Sequence, residues 1–134
     1  EEIITLMVDN LNGILMIGLA GAAGTLARFW LSRLVQEWAG TAFPWGTFAV
    51  NIIGSFLFGL VWSLATERRL LDERTRIIIL TGFMGAFTTF STFAFETMLY
   101  LRDSQWGLAL VNILAQVIVG VLALFVGMAA ARLF

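Results

Sequence analysis

Long apolar stretches alternate with short polar ones along this chain. Four apolar runs stand out: Gly13–Leu31 with one charge, Arg28, and Gly46–Thr66, Ile77–Phe95 and Trp106–Ala131 with none. They are 19, 21, 19 and 26 residues long. A helix needs about 20 apolar residues to cross the hydrocarbon core of a bilayer. Backbone groups cannot stay unpaired in lipid, so each run is predicted to be helical. The expected helices cover residues 13–34, 46–66, 77–100 and 106–131, within a single membrane domain over residues 1–134. The last run is long enough to tilt, or to rest its ends at the interface. The predicted fold is an all-α integral membrane protein with four transmembrane helices per subunit.

The connectors are polar. Ser32–Trp45 holds Arg33, Glu37, Trp38 and the single proline, Pro44. Glu67–Arg76 reads ERRLLDERTR, seven charges in ten residues, and Arg102–Gln105 reads RDSQ. Trp38, Trp45, Tyr100 and Trp106 flank the apolar runs, where aromatic belts form. The stretch Glu1–Asn12 carries three acids and no base, unlike the positive n-region of a signal peptide. Position 1 is Glu rather than Met, as a trimmed N-terminus would give. Four crossings place both termini on one side, with Arg68, Arg69, Arg74, Arg76 and Arg132; Arg33 and Arg102 lie on the other. Five against two is a mild bias toward cytoplasmic termini.

Composition narrows the function. The chain is 60% hydrophobic and 13% charged, against about a quarter charged for a soluble domain. So few polar groups could not cover so much apolar surface in water. Cysteine is absent, which excludes disulfides, thiolate metal sites and cysteine nucleophiles. Histidine is absent too, removing the commonest general base and nearly every zinc site. With a net charge of −1 there is no basic surface for nucleic acid. No nucleophile–base pair is visible, so an enzyme is not expected.

Polar groups at membrane depth are costly and face a partner, a cavity or a pathway. Gly21–Arg28 reads GAAGTLAR. Ala20 and Gly24, one turn apart, permit close helix packing. Arg28 either snorkels to the interface or fixes a positive charge near a pore mouth. Pro44–Ser55 reads PWGTFAVNIIGS, and Thr47, Asn51, Gly54 or Ser55, and Phe58 form one helical stripe. Asn51 is either interhelical glue or a pore-lining donor. Thr81–Glu96 reads TGFMGAFTTFSTFAFE. Gly82 and Gly85 weaken the helix, and the hydroxyls that follow can re-satisfy freed carbonyls. A break near Gly85–Thr89 is therefore expected, of the kind that exposes carbonyls and half-helix ends to ions. Thr89, Phe93, Glu96 and Tyr100 share a stripe, and Phe90 lies beside Phe93. In the fourth helix Asn112, Gln116 and Gly120 fall on one face, which must point at protein or water.

These segments resemble the bacterial fluoride-channel family, Fluc or CrcB, over essentially the whole chain. GFMGAFTTFSTFAFE at Gly82–Glu96 is similar to the family's third-helix signature, and PWGTFAVNIIGSFLFG at Pro44–Gly59 to its second-helix signature. The Gly21, Gly24, Arg28 spacing is similar to that of its first helix. The resemblance implies a fluoride-selective channel giving passive efflux that protects the cell from fluoride. It implies an antiparallel, dual-topology homodimer in the bacterial cytoplasmic (inner) membrane, with the third helix broken near its middle. Two pores per dimer and a structural sodium ion at the dimer interface belong to the same picture. By motif position Phe90 and Phe93 match the pore phenylalanines, and Asn51 the fluoride-coordinating amide, with Thr47 nearby. Gly85 and Thr88 match the residues whose backbone carbonyls bind sodium. Thr89, Ser91, Thr92 and Glu96 fall in or beside the polar track, Asn112 and Gln116 on the fourth-helix lining, and Arg28 near the vestibule. The family usually has a serine where Gln116 aligns.

The chemistry agrees. Fluoride is small and strongly hydrated, so a pore must replace its water with donors. Amide and hydroxyl groups can donate, whereas an ionised carboxylate cannot. Aromatic rings have a positive edge and can face an anion without a formal charge. Conduction needs binding that is favourable yet weak enough to release. The competing reading is a small four-helix, proton-coupled multidrug exporter. It needs a membrane-embedded carboxylate, for which Glu96 is the one candidate. A non-transporting assembly protein would need neither the Asn51 stripe nor the Thr/Ser/Phe one.

Overall fold

A computed structural model describes the backbone of residues 2–134, with side chains from Asn10 onward. Within that range every regular element is a helix: α1 (Glu2–Ala39), α2 (Trp45–Thr66), α3 (Glu73–Ile77), a π-helical stretch (Ile78–Met84), α4 (Gly85–Phe87), α5 (Phe90–Arg102), α6 (Trp106–Ala130) and a closing 3₁₀ turn (Ala131–Leu133). Four stretches are long and apolar enough to span a bilayer: Asn10–Ala39, Trp45–Thr66, Glu73–Arg102 and Trp106–Leu133. Leu19, Phe125 and Val121 are among the many large apolar side chains left on the outside, as lipid contact requires.

The first helix outruns its expected end at residue 34 and stops at Ala39. Ser32–Glu37 is polar but helix-competent, and an Arg33–Glu37 pair at 2.7 Å sits at helical spacing. Gly40 ends the helix at φ +88°, a left-handed conformation that only glycine takes without penalty. Gln36 then clamps the turn. Its Nε2 donates to the Gly40 carbonyl and to the Phe43 carbonyl at 2.9 Å, and its Oε1 accepts from Gly46 N–H at 3.0 Å.

Helices α2 and α6 make the tightest packing. A methyl on Gly59 would collide with the Leu124 carbonyl, and one on Gly127 with the Phe56 carbonyl. Small residues at the crossing let the two backbones touch. The Ala20/Gly24 face of α1 is used the same way, inside the protomer. Gly24 lies against the backbone of Phe83, and Ala20 faces Gly82.

The third span is interrupted, but not at its glycines. The π-helical stretch runs through Gly82, and Gly85 opens the short α4. The chain leaves the helix at Thr88 (φ −85°, ψ 159°) and Thr89 (φ −148°, ψ 109°). β-Branched residues suit this extended backbone. Thr89 then caps α5, its Oγ1 accepting from Thr92 N–H at 3.2 Å.

Candidate functional site

The interruption opens a groove of about 380 Å³ between α2, the third span and α6. Asn51, Ser55 and Phe58 line it from α2, Thr88, Phe90 and Phe93 from the break and α5, and Gln116 from α6. The wall is mostly apolar, with a few polar groups among rings and aliphatic side chains.

Breaking a helix frees backbone groups that must be paired in lipid. Asn51 bonds both backbone groups of Thr89, of which the N–H is the one freed by the break. Its Oδ1 accepts from Thr89 N–H at 2.8 Å, and its Nδ2 donates to the Thr89 carbonyl at 3.1 Å. Nδ2 also donates to Gln116 Oε1 at 3.0 Å, which ties α6 to the same point. Gln116 is 9% exposed, and its Nε2 is buried without an acceptor.

The Gly85 and Thr88 carbonyls are among those that lose their helical donors here. A continuous helix would turn Thr89 N–H toward the Gly85 carbonyl and Thr92 N–H toward that of Thr88. The first goes to Asn51 and the second to Thr89 Oγ1. Gly85 is exposed, and a methyl there would meet only the Leu80 carbonyl, at 3.8 Å. Nothing within the protomer therefore requires a glycine at this position. Neutral carbonyl oxygens with no carboxylate beside them suit a hard monovalent cation; Mg²⁺ and Ca²⁺ favour carboxylates and water. Among the described residues no cluster of three or more acids could hold a metal.

The remaining residues expected at the site fall into three groups. Phe90 and Phe93 stand edge to face, 5.6 Å between centroids at 62°, and Phe90 projects at the groove's edge, 78% exposed. Thr89, Ser91 and Thr92 form a hydroxyl cluster beside it, with Thr89 Oγ1 2.9 Å from Thr92 Oγ1. Farther along α5, Thr47 donates to Glu96 Oε1 at 2.7 Å, and Glu96 Oε2 is buried without a partner. Glu96 opens onto a second cavity of about 390 Å³ with Gln36, Tyr100, Asp103 and Gln105 at the end of the span. Asn112 is fully buried and donates to Thr97 Oγ1 at 3.0 Å; it stands behind the groove wall and not in it. Arg28 lies on α1, outside both cavities, and makes no ion pair among the described residues.

Four contributors lie outside the site residues expected from sequence. Ser55 and Phe58 line the groove, and helical spacing from Asn51 was the signal for both. Thr97 joins Asn112 to the Phe93 carbonyl (2.8 Å), and it falls one turn after Phe93. Gln36, at the second cavity, carried no signal, because its partners are backbone groups of an irregular turn.

The family profile described as CrcB-like protein, Camphor Resistance (CrcB) matches residues 15–128, which holds every element of this site. The chain belongs to the CrcB family. Similar CrcB relatives include a protein named fluoride-specific ion channel FluC from Nitrosococcus oceani, 57% identical over 111 residues, covering 83% of this chain and 89% of the relative. The protein of the same name from Solidesulfovibrio magneticus is 58% identical over 117 residues, covering 87% and 94%. That from Magnetococcus marinus is 46% identical over 120 residues, covering 90% and 98%. Every segment that carries the CrcB resemblance thus lies within a nearly full-length match.

Proposed function

We propose that this chain is a fluoride-selective anion channel that lets fluoride leave a bacterial cell passively, across the cytoplasmic (inner) membrane. The observation that carries this reading is the groove at the helix break, lined by neutral amides and phenylalanine rings with no fixed charge, in a CrcB chain whose relatives bear the name fluoride-specific ion channel. Uncharged donors can strip and replace the water of a small anion and still release it. Phe90 and Phe93 offer ring edges, Asn51 and Gln116 the carboxamide wall. Thr89, Ser91, Thr92, Thr47 and Glu96 continue the polar path along α5, with Asn112 behind it. Arg28 acts at a distance, as a positive charge near the vestibule. The role is permeation, without chemistry on the ion.

The working unit is an antiparallel homodimer with two pores. The exposed Phe90 and the exposed, sterically unconstrained Gly85 support an inverted second copy against the break. The same contact would bring two pairs of freed carbonyls, Gly85 and Thr88 from each subunit, around one structural sodium ion. In that place these residues would hold the ion by backbone oxygen alone, and the ion would supply a positive potential beside the anion path.

The test is growth of a fluoride-sensitive bacterium on fluoride, with and without this gene, together with labelling of terminal tags from each membrane side. Fluoride resistance and tags reachable from both sides are expected. A single orientation in every molecule removes the inverted dimer, and no gain in resistance speaks against fluoride export.

A further inference from the structure

We propose that Thr97 is a positioning residue for the pore: it sets the depth and rotation of α5, and with them the place of the Phe93 ring, by joining the Phe93 carbonyl to Asn112 of α6. This assignment rests on the fluoride-channel reading above. Helix α5 starts at the break and carries both phenylalanines, yet little packing holds it within the protomer. Phe90, Ser91, Ala94, Phe95 and Met98 are exposed, and Thr97 is the one buried residue among the described residues of α5. Lipid gives two helices no hydrophobic reason to meet, so polar contacts decide where such a half-helix sits. Asn51 holds the Thr89 cap, Thr47 reaches Glu96, and the Tyr100 hydroxyl donates to the Ala42 carbonyl at 3.3 Å. Those contacts tie the third span to α2 and to the turn ahead of it. Toward α6, α5 has one side-chain hydrogen bond among the described residues, from Asn112 to Thr97.

The direction of that bond follows from the hydroxyl. Thr97 has one hydrogen and gives it to the Phe93 carbonyl at 2.8 Å. It therefore meets Asn112 as an acceptor, and Asn112 turns its NH₂ toward it at 3.0 Å. Asn112 Oδ1 is then left buried with no partner. Such a group is costly, and two apolar side chains of similar shape would be about as stable as this pair. The polar pair thus adds little net stability. What it adds is direction. Apolar side chains slide past one another, whereas this bond is made at one register of α5 on α6 and is lost when the helix slips. Phe93 lines the groove one turn before Thr97, and its ring meets Phe90 edge to face. A slip or turn of α5 would carry both rings away from the Asn51 wall. Thr97 lies outside the groove lining and Asn112 is fully buried, so neither touches the ion; both act through Phe93.

Fluoride efflux from liposomes holding only this protein, read beside thermal melting and elution size in detergent, tests the assignment. Thr97→Val keeps the shape, removes the hydroxyl and leaves the Asn112 NH₂ unmet. It should melt lower and release fluoride about 10-fold more slowly, the worth of one hydrogen bond. Thr97→Ser keeps the hydroxyl and should match the wild type in both. Thr97→Val combined with Asn112→Leu leaves no polar group unmet. This double variant should regain wild-type melting and elution, yet stay about 10-fold slow. A role in stability alone predicts that efflux returns together with the melting temperature. That result, or wild-type efflux from a folded Thr97→Val variant, overturns this assignment and leaves the channel reading standing. A Thr97→Ser variant as slow as Thr97→Val assigns the effect to the methyl group and overturns it as well. No efflux from the wild-type protein overturns the channel reading and this assignment with it. Should Thr97→Val fail to fold, the double variant decides.

Discussion

Asn51 grips Thr89 by both of its backbone polar groups, accepting from the N–H at 2.8 Å and donating to the carbonyl at 3.1 Å. One side chain thereby supplies the acceptor that the Thr89 N–H loses at the break and adds a donor to its carbonyl, which as the cap of α5 also serves that helix. The polar residue of α2 and the interruption of the third span are one device, and neither is stable at membrane depth without the other.

Asn51→Asp keeps the acceptor and loses both donations, and it puts a negative group in the groove. Fluoride flux should fall more than about 100-fold, because like charge and lost hydrogen bonds act together. Asn51→Ser should be milder, since a hydroxyl still donates. Thermal melting in detergent should show both variants destabilised, each lost hydrogen bond being worth about 1 kcal/mol. An Asp variant conducting at the wild-type rate would reduce Asn51 to interhelical glue.

Phe90 and Phe93 should matter through their rings. Phe90 is too exposed to serve as packing inside the protomer, and the pair already stands edge to face. Replacing either by leucine keeps the bulk and removes the positive ring edge. Flux should drop while the oligomer survives on size-exclusion chromatography. Unchanged flux in both variants would return the rings to packing.

Gly59→Ala tests the α2–α6 crossing that holds the two carboxamides together. Its methyl would strike the Leu124 carbonyl, so the backbones must part. Stability should fall by about 1–3 kcal/mol, the usual cost of overpacking. Gly107→Ala, in open space, is the control and should melt as wild type.

Sodium should be structural. Exhaustive replacement of Na⁺ by a bulky organic cation should weaken the dimer and stop flux, and readmitted Na⁺ should restore both. Gly85→Ala should leave the isolated protomer folded, because the added methyl finds space there, while dimer and flux are impaired. Full flux and an intact dimer without any small monovalent cation would remove the ion from the account.

Much of the fold was legible because the bilayer restricts the options: four uncharged or nearly uncharged runs could only be helices. The interruption was legible as a region, from glycines followed by hydroxyls. Its exact place was not, because the helix tolerates Gly82 and Gly85 and yields at Thr88–Thr89, where Asn51 from another helix supplies the missing partners. That contact spans 38 residues of sequence, and no local pattern encodes it. The commitment of every Asn51 hydrogen was invisible for the same reason, as was the clamp made by Gln36. The small face of Ala20 and Gly24 was legible as a packing face, but not which surface it meets.

Anion efflux from liposomes that contain this protein and no other, with fluoride compared directly with chloride, decides whether this chain is a fluoride-selective channel. Rapid fluoride release, insensitive to a pH gradient, with chloride retained, is expected. Equal release of both ions, or fluoride movement only when a proton gradient is applied, would contradict it.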